Sequence, residues 1–563
     1  MGKPGHSTRW LLFALLSFVT ISAMVFGQAK SEPALVVAAR DGDYEAVRAL
    51  LAKHVNVNET ARDGSTALLW AVYHSDAPTV RALIGAGANF IMPNRYGVTP
   101  LLQASRNGDM AVIGELLKAG ANPRNSVHPE GETPLMAASR TGKVGAVELL
   151  LEAGSDANAA DTYQNQTALM RAAEEGHVDI VNALLAAGAN PNVKAHVSSL
   201  TERKHADHAT GGFTALMFAA RNGHENVIRA LVKGGADVKA VNGDGLTAAT
   251  IAIINDRFDI ARTLVELGSD PSDGSLFFAV DMHDATTDMH ARDGSRLRAD
   301  HPNQLTALEL VKLLLERGAD PNKAFIGQIH NISLCCGEEH NASPFFRAAI
   351  ASDVEVLKLM IKHGAKLEWS PSEVQKKKEG DAAGGAGGRG NGNVGKTAAM
   401  MAMTGGRGAP FAAGPGFDRL IAPPYREPGS RDAGEALKVL LDAGADANAK
   451  SSDGATLLHQ AVTARRVDVI RALVAAGAKL DAVNKDNLTP LLLAEKPEPP
   501  PPPGNNTDSR TWKPRRDSRD QVIATVRELM HLGPNDPAPV PPPLPGAEKK
   551  AESDPAKKPA ETQ

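Results

Sequence analysis

The stretch Gly390-Asn-Gly-Asn-Val-Gly395-Lys396-Thr397 matches the phosphate-loop pattern G-x4-G-K-[ST] at every position. Such a loop cradles phosphates on backbone amides only where it joins a buried strand to a helix. Here it follows Lys376-Lys-Lys-Glu-Gly and a Gly/Ala run, with no strand pattern before it. Thr397 also shares the register of a series of threonines described below, so no nucleotide site is expected. A second cluster, Cys335-Cys336-Gly-Glu-Glu339-His340 with His330 nearby, gathers thiol and imidazole groups. Its spacing fits neither C-x2-C nor C-x-x-C-H, which leaves zinc ribbons and haem attachment unsupported. Adjacent cysteines make a strained bridge, because Cα atoms across a trans peptide lie about 3.8 Å apart and ordinary disulfides need roughly 4.4–6.8 Å. Asp281-Met-His283, Asp288-Met-His290 and His205-x-x-His208 lack a further ligand at metal spacing and read as polar loops. No H-E-x-x-H or G-x-S-x-G is present, and no Rossmann glycine pattern leads from a strand pattern into a helix. The expectation is therefore no cofactor, no metal and no catalytic residue.

Composition narrows the class further. Of the 563 residues 42% are apolar but only 4% aromatic, with 52 Gly and 36 Pro. A core must then be built from Ala, Leu and Val, which suits closely packed helices. A net charge of −4 gives no strongly basic footprint, so no nucleic-acid partner is expected. Two cysteines exclude a disulfide framework and a four-cysteine zinc site.

Lys3, His6 and Arg9 precede an apolar run from Trp10 to Phe26, then small residues around Gly27 and Ala29. This is the pattern of a secretory signal, and Ser17, Thr20 and Ser22 dilute the run in favour of cleavage. A periplasmic or secreted location is expected. The alternative is an anchor formed by residues 10–26, with the chain facing outside the cytoplasm; only then would it be membrane-bound.

The body of the chain repeats. Gly64-Ser-Thr-Ala-Leu, Gly97-Val-Thr-Pro-Leu, Gly131-Glu-Thr-Pro-Leu, Asn165-Gln-Thr-Ala-Leu, Gly212-Phe-Thr-Ala-Leu and Gly245-Leu-Thr-Ala-Ala place threonines at 66, 99, 133, 167, 214 and 247. A second marker, Gly-Ala-Asn or Gly-Ser-Asp at Gly87, Gly120, Gly154 and Gly188, keeps the same steps. Each threonine can cap a short apolar helix. A break such as Asn107-Gly108 ends that helix with a left-handed residue. A second helix follows, with Val178, Ile180, Val181, Leu184 and Leu185 at helical spacing. Paired alanines such as Ala172 and Ala173 permit close helix approach, and no unit buries its apolar side without neighbours.

These units resemble ankyrin repeats. The family's Thr-Pro-Leu-His motif is matched best at Thr99-Pro-Leu, Thr133-Pro-Leu and Thr489-Pro-Leu. The histidine is replaced by Leu102, Met136, Met170 and Met217 and kept only at His459. The resemblance implies an all-α repeat solenoid: helix-turn-helix units joined by short β-turn or hairpin loops, about twelve between Pro33 and Gly533. Long irregular inserts interrupt its second half. The expected divisions are a signal or anchor at 1–29, regular repeats at 33–274, degenerate repeats with long inserts at 275–432, and C-terminal repeats at 433–533. A Pro-rich insert at 496–519 interrupts the last of these, and a disordered Pro/Ala/Lys/Glu tail occupies 534–563.

By the same resemblance, turn tips and the ends of first helices line a concave binding face. In this sequence they include Arg62, Tyr73, Arg95, Tyr96, Arg106, Arg140, Arg171, Phe213 and Arg221. Arg and Tyr dominate interface hot spots, and arginines recurring at one register would form a basic stripe, interrupted by Glu174 and Glu175. The function this supports is a non-enzymatic, exported scaffold that binds another protein, itself a monomer. The rival is a metal- or redox-dependent factor or enzyme that uses the inserts of residues 276–432.

Overall fold

The computed structural model describes residues 32–124, 126–197, 211–284, 303–325, 342–368, 370, 397–403, 433–451, 453–497 and 517–542. Among them are twenty-four helices, which form twelve consecutive pairs, and no named strand. The chain divides into two units, residues 1–193 and 194–563.

The first unit holds five pairs: Ala34–Arg40 with Tyr44–Leu51, Ala67–Tyr73 with Ala77–Gly85, Pro100–Asn107 with Met110–Lys118, Pro134–Ser139 with Val144–Glu152, and Ala168–Glu175 with Val178–Ala186. Successive first helices pack on one another, and so do successive second helices, which gives two layers. The reason lies in the register. Ala71, Ala104, Ala138 and Ala172, each five residues after its threonine, are fully buried and leave room for the next helix. Leu83, Leu116, Leu150 and Leu184 are buried at equivalent places on the second helices. Burying each leucine contributes about 1.5–3 kcal/mol.

Caps fix where each helix begins. Thr66, Thr99, Thr133 and Thr167 accept the N–H groups of Leu69, Leu102, Met136 and Met170 on their hydroxyl oxygens at 3.2–3.4 Å. Gly108 and Gly176 close first helices in the left-handed region, at φ of 62° and 83°. Between pairs the chain makes a short turn, with isolated bridges Thr60–Thr66 and Ala160–Thr167. Side-chain amides clamp one turn to the next. Asn58 Nδ2 donates to Gly87 O at 3.1 Å and its Oδ1 accepts from Asn89 N at 2.7 Å. Asn158 repeats this with Gly188 O and Asn190 N.

The second unit keeps the same two layers through seven pairs. Its first helices begin at Ala215, Ala248, Ser275, Pro344, Ala398, Leu457 and Pro490. Three pairs have long separations between their helices: Ser275–Asp284 with Ala307–Glu316, Ala398–Ala402 with Ala433–Asp442, and Pro490–Glu495 with Arg519–Leu529. The asparagine clamp recurs, with Asn322 on Gly364 O and Asn448 on Gly477 O. After the last helix, Arg527 donates to the carbonyls of Gly533 and Asp536 at 2.9 and 2.8 Å.

Several sequence expectations lie outside the described residues. They are the signal or anchor at 1–29, the phosphate-loop stretch up to Lys396, His205 and His208, Asp288 and His290, Cys335, Cys336 and His340, and the tail beyond 542.

Candidate functional site

The repeat turns and first helices of the first unit form an open groove of about 780 Å³. Arg106 and Arg140 enter it from the ends of the first helices Pro100–Asn107 and Pro134–Ser139. Arg171 projects from the middle of Ala168–Glu175. Three of the arginines singled out by register are thereby brought to one site.

Each is already paired. Arg106 Nε lies 3.2 Å from Glu132 Oε2, and its Nη2 reaches the same oxygen. The Nη2 also stands 3.4 Å from His128 Nε2. Arg140 Nη2 is 3.5 Å from Glu175 Oε1, and Arg171 Nη2 is 3.3 Å from Asp161 Oδ2. The expected basic stripe is therefore corrected to a row of ion pairs. Carboxylates from the neighbouring turn or repeat match the guanidiniums, so the groove is mixed in charge. Glu132 and Asp161 are largely shielded from water, with side chains 19% and 4% exposed, which makes these pairs firmer than free surface contacts.

Asp161 also shapes the wall. Its Oδ1 accepts the N–H groups of Tyr163 and Gln164 at 3.2 and 2.6 Å, turning the tip so that the Tyr163 ring stands 67% exposed. Tyr163, His128, Glu132 and Lys143 line the groove and were not singled out in the sequence. Tyr163 carried a usable signal, since it lies four residues before Thr167, as Arg62 and Arg95 lie before Thr66 and Thr99.

The remaining positions are distributed as follows. Arg62, Arg95 and Tyr96 are exposed on two successive tips, and Arg95 N donates to Asp63 O at 2.8 Å. Tyr73, 57% exposed, stands edge-on to Trp70 with ring centroids 5.7 Å apart. Phe213 and Arg221 belong to the second unit. There the Arg221 guanidinium lies over the Phe213 and Phe218 rings at 5.7 and 5.2 Å, so both residues are half-buried in one stack.

In the second unit, Asp281 Oδ1 is held by Arg347 Nε at 2.9 Å, and His283 Nδ1 lies 2.5 Å from Asp353 Oδ2. Both members of that sequence triplet are engaged by other side chains. Thr397 stands at the N-cap position of the short helix Ala398–Ala402, in the register of the other repeat threonines, but its hydroxyl makes no capping hydrogen bond. Among the described residues no group of three metal-capable side chains is gathered, and no helix is long and apolar enough to cross a membrane.

Two layers of short helices with capped turns, stacked pair on pair, define a helical-repeat protein. The sequence profile described as ankyrin repeats (3 copies) matches residues 35–126, 104–195, 196–274 and 430–497, more than half of the chain. The chain belongs to the ankyrin-repeat family. Among solved structures it is similar to the human ASB11 ankyrin repeat domain, with 26% identity over 42% of this chain and 98% of that one and a TM-score of 0.36. No curated protein sequence matches it. Ankyrin repeats are in general protein–protein interaction modules.

Proposed function

We propose that the chain is an exported, non-enzymatic scaffold that binds another protein through the groove of its first unit. The observation that carries this reading is the convergence of Arg106, Arg140 and Arg171 with Tyr163 on one open polar surface. Guanidiniums and tyrosines contribute most where a partner displaces water from them. Because each arginine already holds a carboxylate, the partner presents both signs of charge: acids to share the guanidiniums and donors to meet Glu132 and Asp161. Export to the periplasm or beyond is supported by the basic start and the apolar run Trp10–Phe26.

A photo-crosslinking amino acid at Tyr163 tests the site. In native envelope extract it should give a discrete adduct that the same group at Glu148, exposed on the second helix Val144–Glu152, does not. Equal adducts from both positions would refute the groove.

A further inference from the structure

The last repeat carries an arm that the groove does not use. Arg527, on the helix Arg519–Leu529, donates Nη1 to the carbonyls of Gly533 and Asp536 at 2.9 and 2.8 Å. Its Nε donates to Glu495 Oε1 at 3.0 Å, so one guanidinium ties the turn 533–536 to both helices of that repeat. Gly533 N donates to Asp536 Oδ2 at 2.5 Å and closes the turn. Beyond this root, residues 537–542 form no helix, strand or turn. Pro537, Pro539, Pro541 and Pro542 lack an amide hydrogen and hold φ near about −65°. Pairing with a sheet edge is thereby obstructed, and the left-handed polyproline helix with about 3 residues per turn is the natural conformation. Exposure follows that period. Ala538 and Pro541 are half-buried, while Pro539, Val540 and Pro542 are exposed. Val540 is 90% exposed, more than any other large apolar side chain described.

We propose that Ala538–Pro542 is a docking ligand for a partner domain with an aromatic-lined groove that reads polyproline helices. Pro539 and Pro542, one turn apart, lie on a single edge and can sit between aromatic rings, with Val540 beside them. The backbone is stiff before binding, so little conformational entropy is lost on docking, and its carbonyls stay free of internal hydrogen bonds to accept from the partner. No charged residue lies between Pro537 and Pro542. Recognition there rests on shape and apolar contact and is insensitive to salt, unlike binding at the ion-paired groove of the first unit. The chain thus offers a ligand as well as a receiving surface.

The test uses the full-length chain against an immobilised WW domain, a module that reads proline-rich helices, with a variant of that domain lacking its groove tryptophan as reference. Saturable binding to the intact domain only is expected. Pro539→Ala with Pro542→Ala should weaken it at least about tenfold, while Pro537→Ala, off the read edge, changes it less than about twofold. Replacing Pro499–Pro503 by serines should leave binding in place, and far-UV circular dichroism should be the same for every chain. The proposal is overturned by the absence of saturable binding, by undiminished binding of the double variant, or by loss of binding when Pro499–Pro503 is replaced.

Discussion

The carboxylate of Asp161 holds Arg171 with one oxygen, at 3.3 Å, and the tip that presents Tyr163 with the other. A single buried acid therefore sets the charge and the shape of one groove wall. Asp161→Ala leaves two amides and a guanidinium without their acceptor and should cost about 1–3 kcal/mol. Asp161→Asn keeps an acceptor oxygen for the amides and should cost clearly less. Urea denaturation of both variants checks the order. Equal losses would mean that the ion pair, and not the turn, carries the stability.

The repeat threonines invite a comparison within one chain. Thr99 Oγ1 accepts Leu102 N at 3.2 Å, whereas Thr397 Oγ1 is buried with no hydrogen-bond partner. Thr99→Val should cost about 0.5–2 kcal/mol, the usual worth of an N-cap. Thr397→Val removes an unsatisfied buried hydroxyl and should be neutral or slightly stabilising. A loss at Thr397 as large as that at Thr99 would show that its hydroxyl does cap.

Much of this architecture was legible in the sequence because ankyrin-type packing is local. Thr66, Thr99, Thr133 and Thr167 mark helix starts, and Ala172 and Leu184 mark buried faces, through one period that any stacking unit must keep. The ion pairs were not legible. Arg106 meets Glu132 across 26 positions, and Arg140 meets Glu175 across 35. Spacing alone cannot say which of several acids stands opposite once repeats stack, so a row of arginines reads as a basic stripe. Nor was the stacking of the Arg221 guanidinium on the Phe213 and Phe218 rings legible, because register alone does not say which ring a side chain lies over.

His459 gives the fold a pH dependence. Its Nδ1 accepts from Thr456 N at 3.2 Å, and its Nε2 lies 2.9 Å from Leu488 O in the next repeat, which defines a neutral imidazole with hydrogen on Nε2. Burial pushes its pKa below the usual histidine value, and the Leu488 carbonyl opposes this only in part. Since the folded pKa is the lower one, the unfolded chain takes up the proton first. This contribution is full above the ordinary histidine pKa of about 6.5 and is lost as pH falls through that value toward the folded one. His459→Met installs the side chain that Met136, Met170 and Met217 supply at the same register. It should flatten that acid limb in denaturation curves taken from pH about 8 to 5. An unchanged limb would assign it to other groups.

A partner docked on the ion-paired groove of the first unit would draw on Arg106 and Arg140 together. With the partner captured through Tyr163 in hand, the decisive measurement is its affinity for the chain and for Arg106→Ala with Arg140→Ala. The variant should bind more than about tenfold more weakly, as expected for arginines at an interface. Its melting curve should hardly move, because partly exposed ion pairs contribute only about 0–1 kcal/mol each. Affinity of the intact chain should also fall as salt rises. Unchanged affinity in the double variant, with the fold intact, would contradict the account and move the binding surface to residues 276–432.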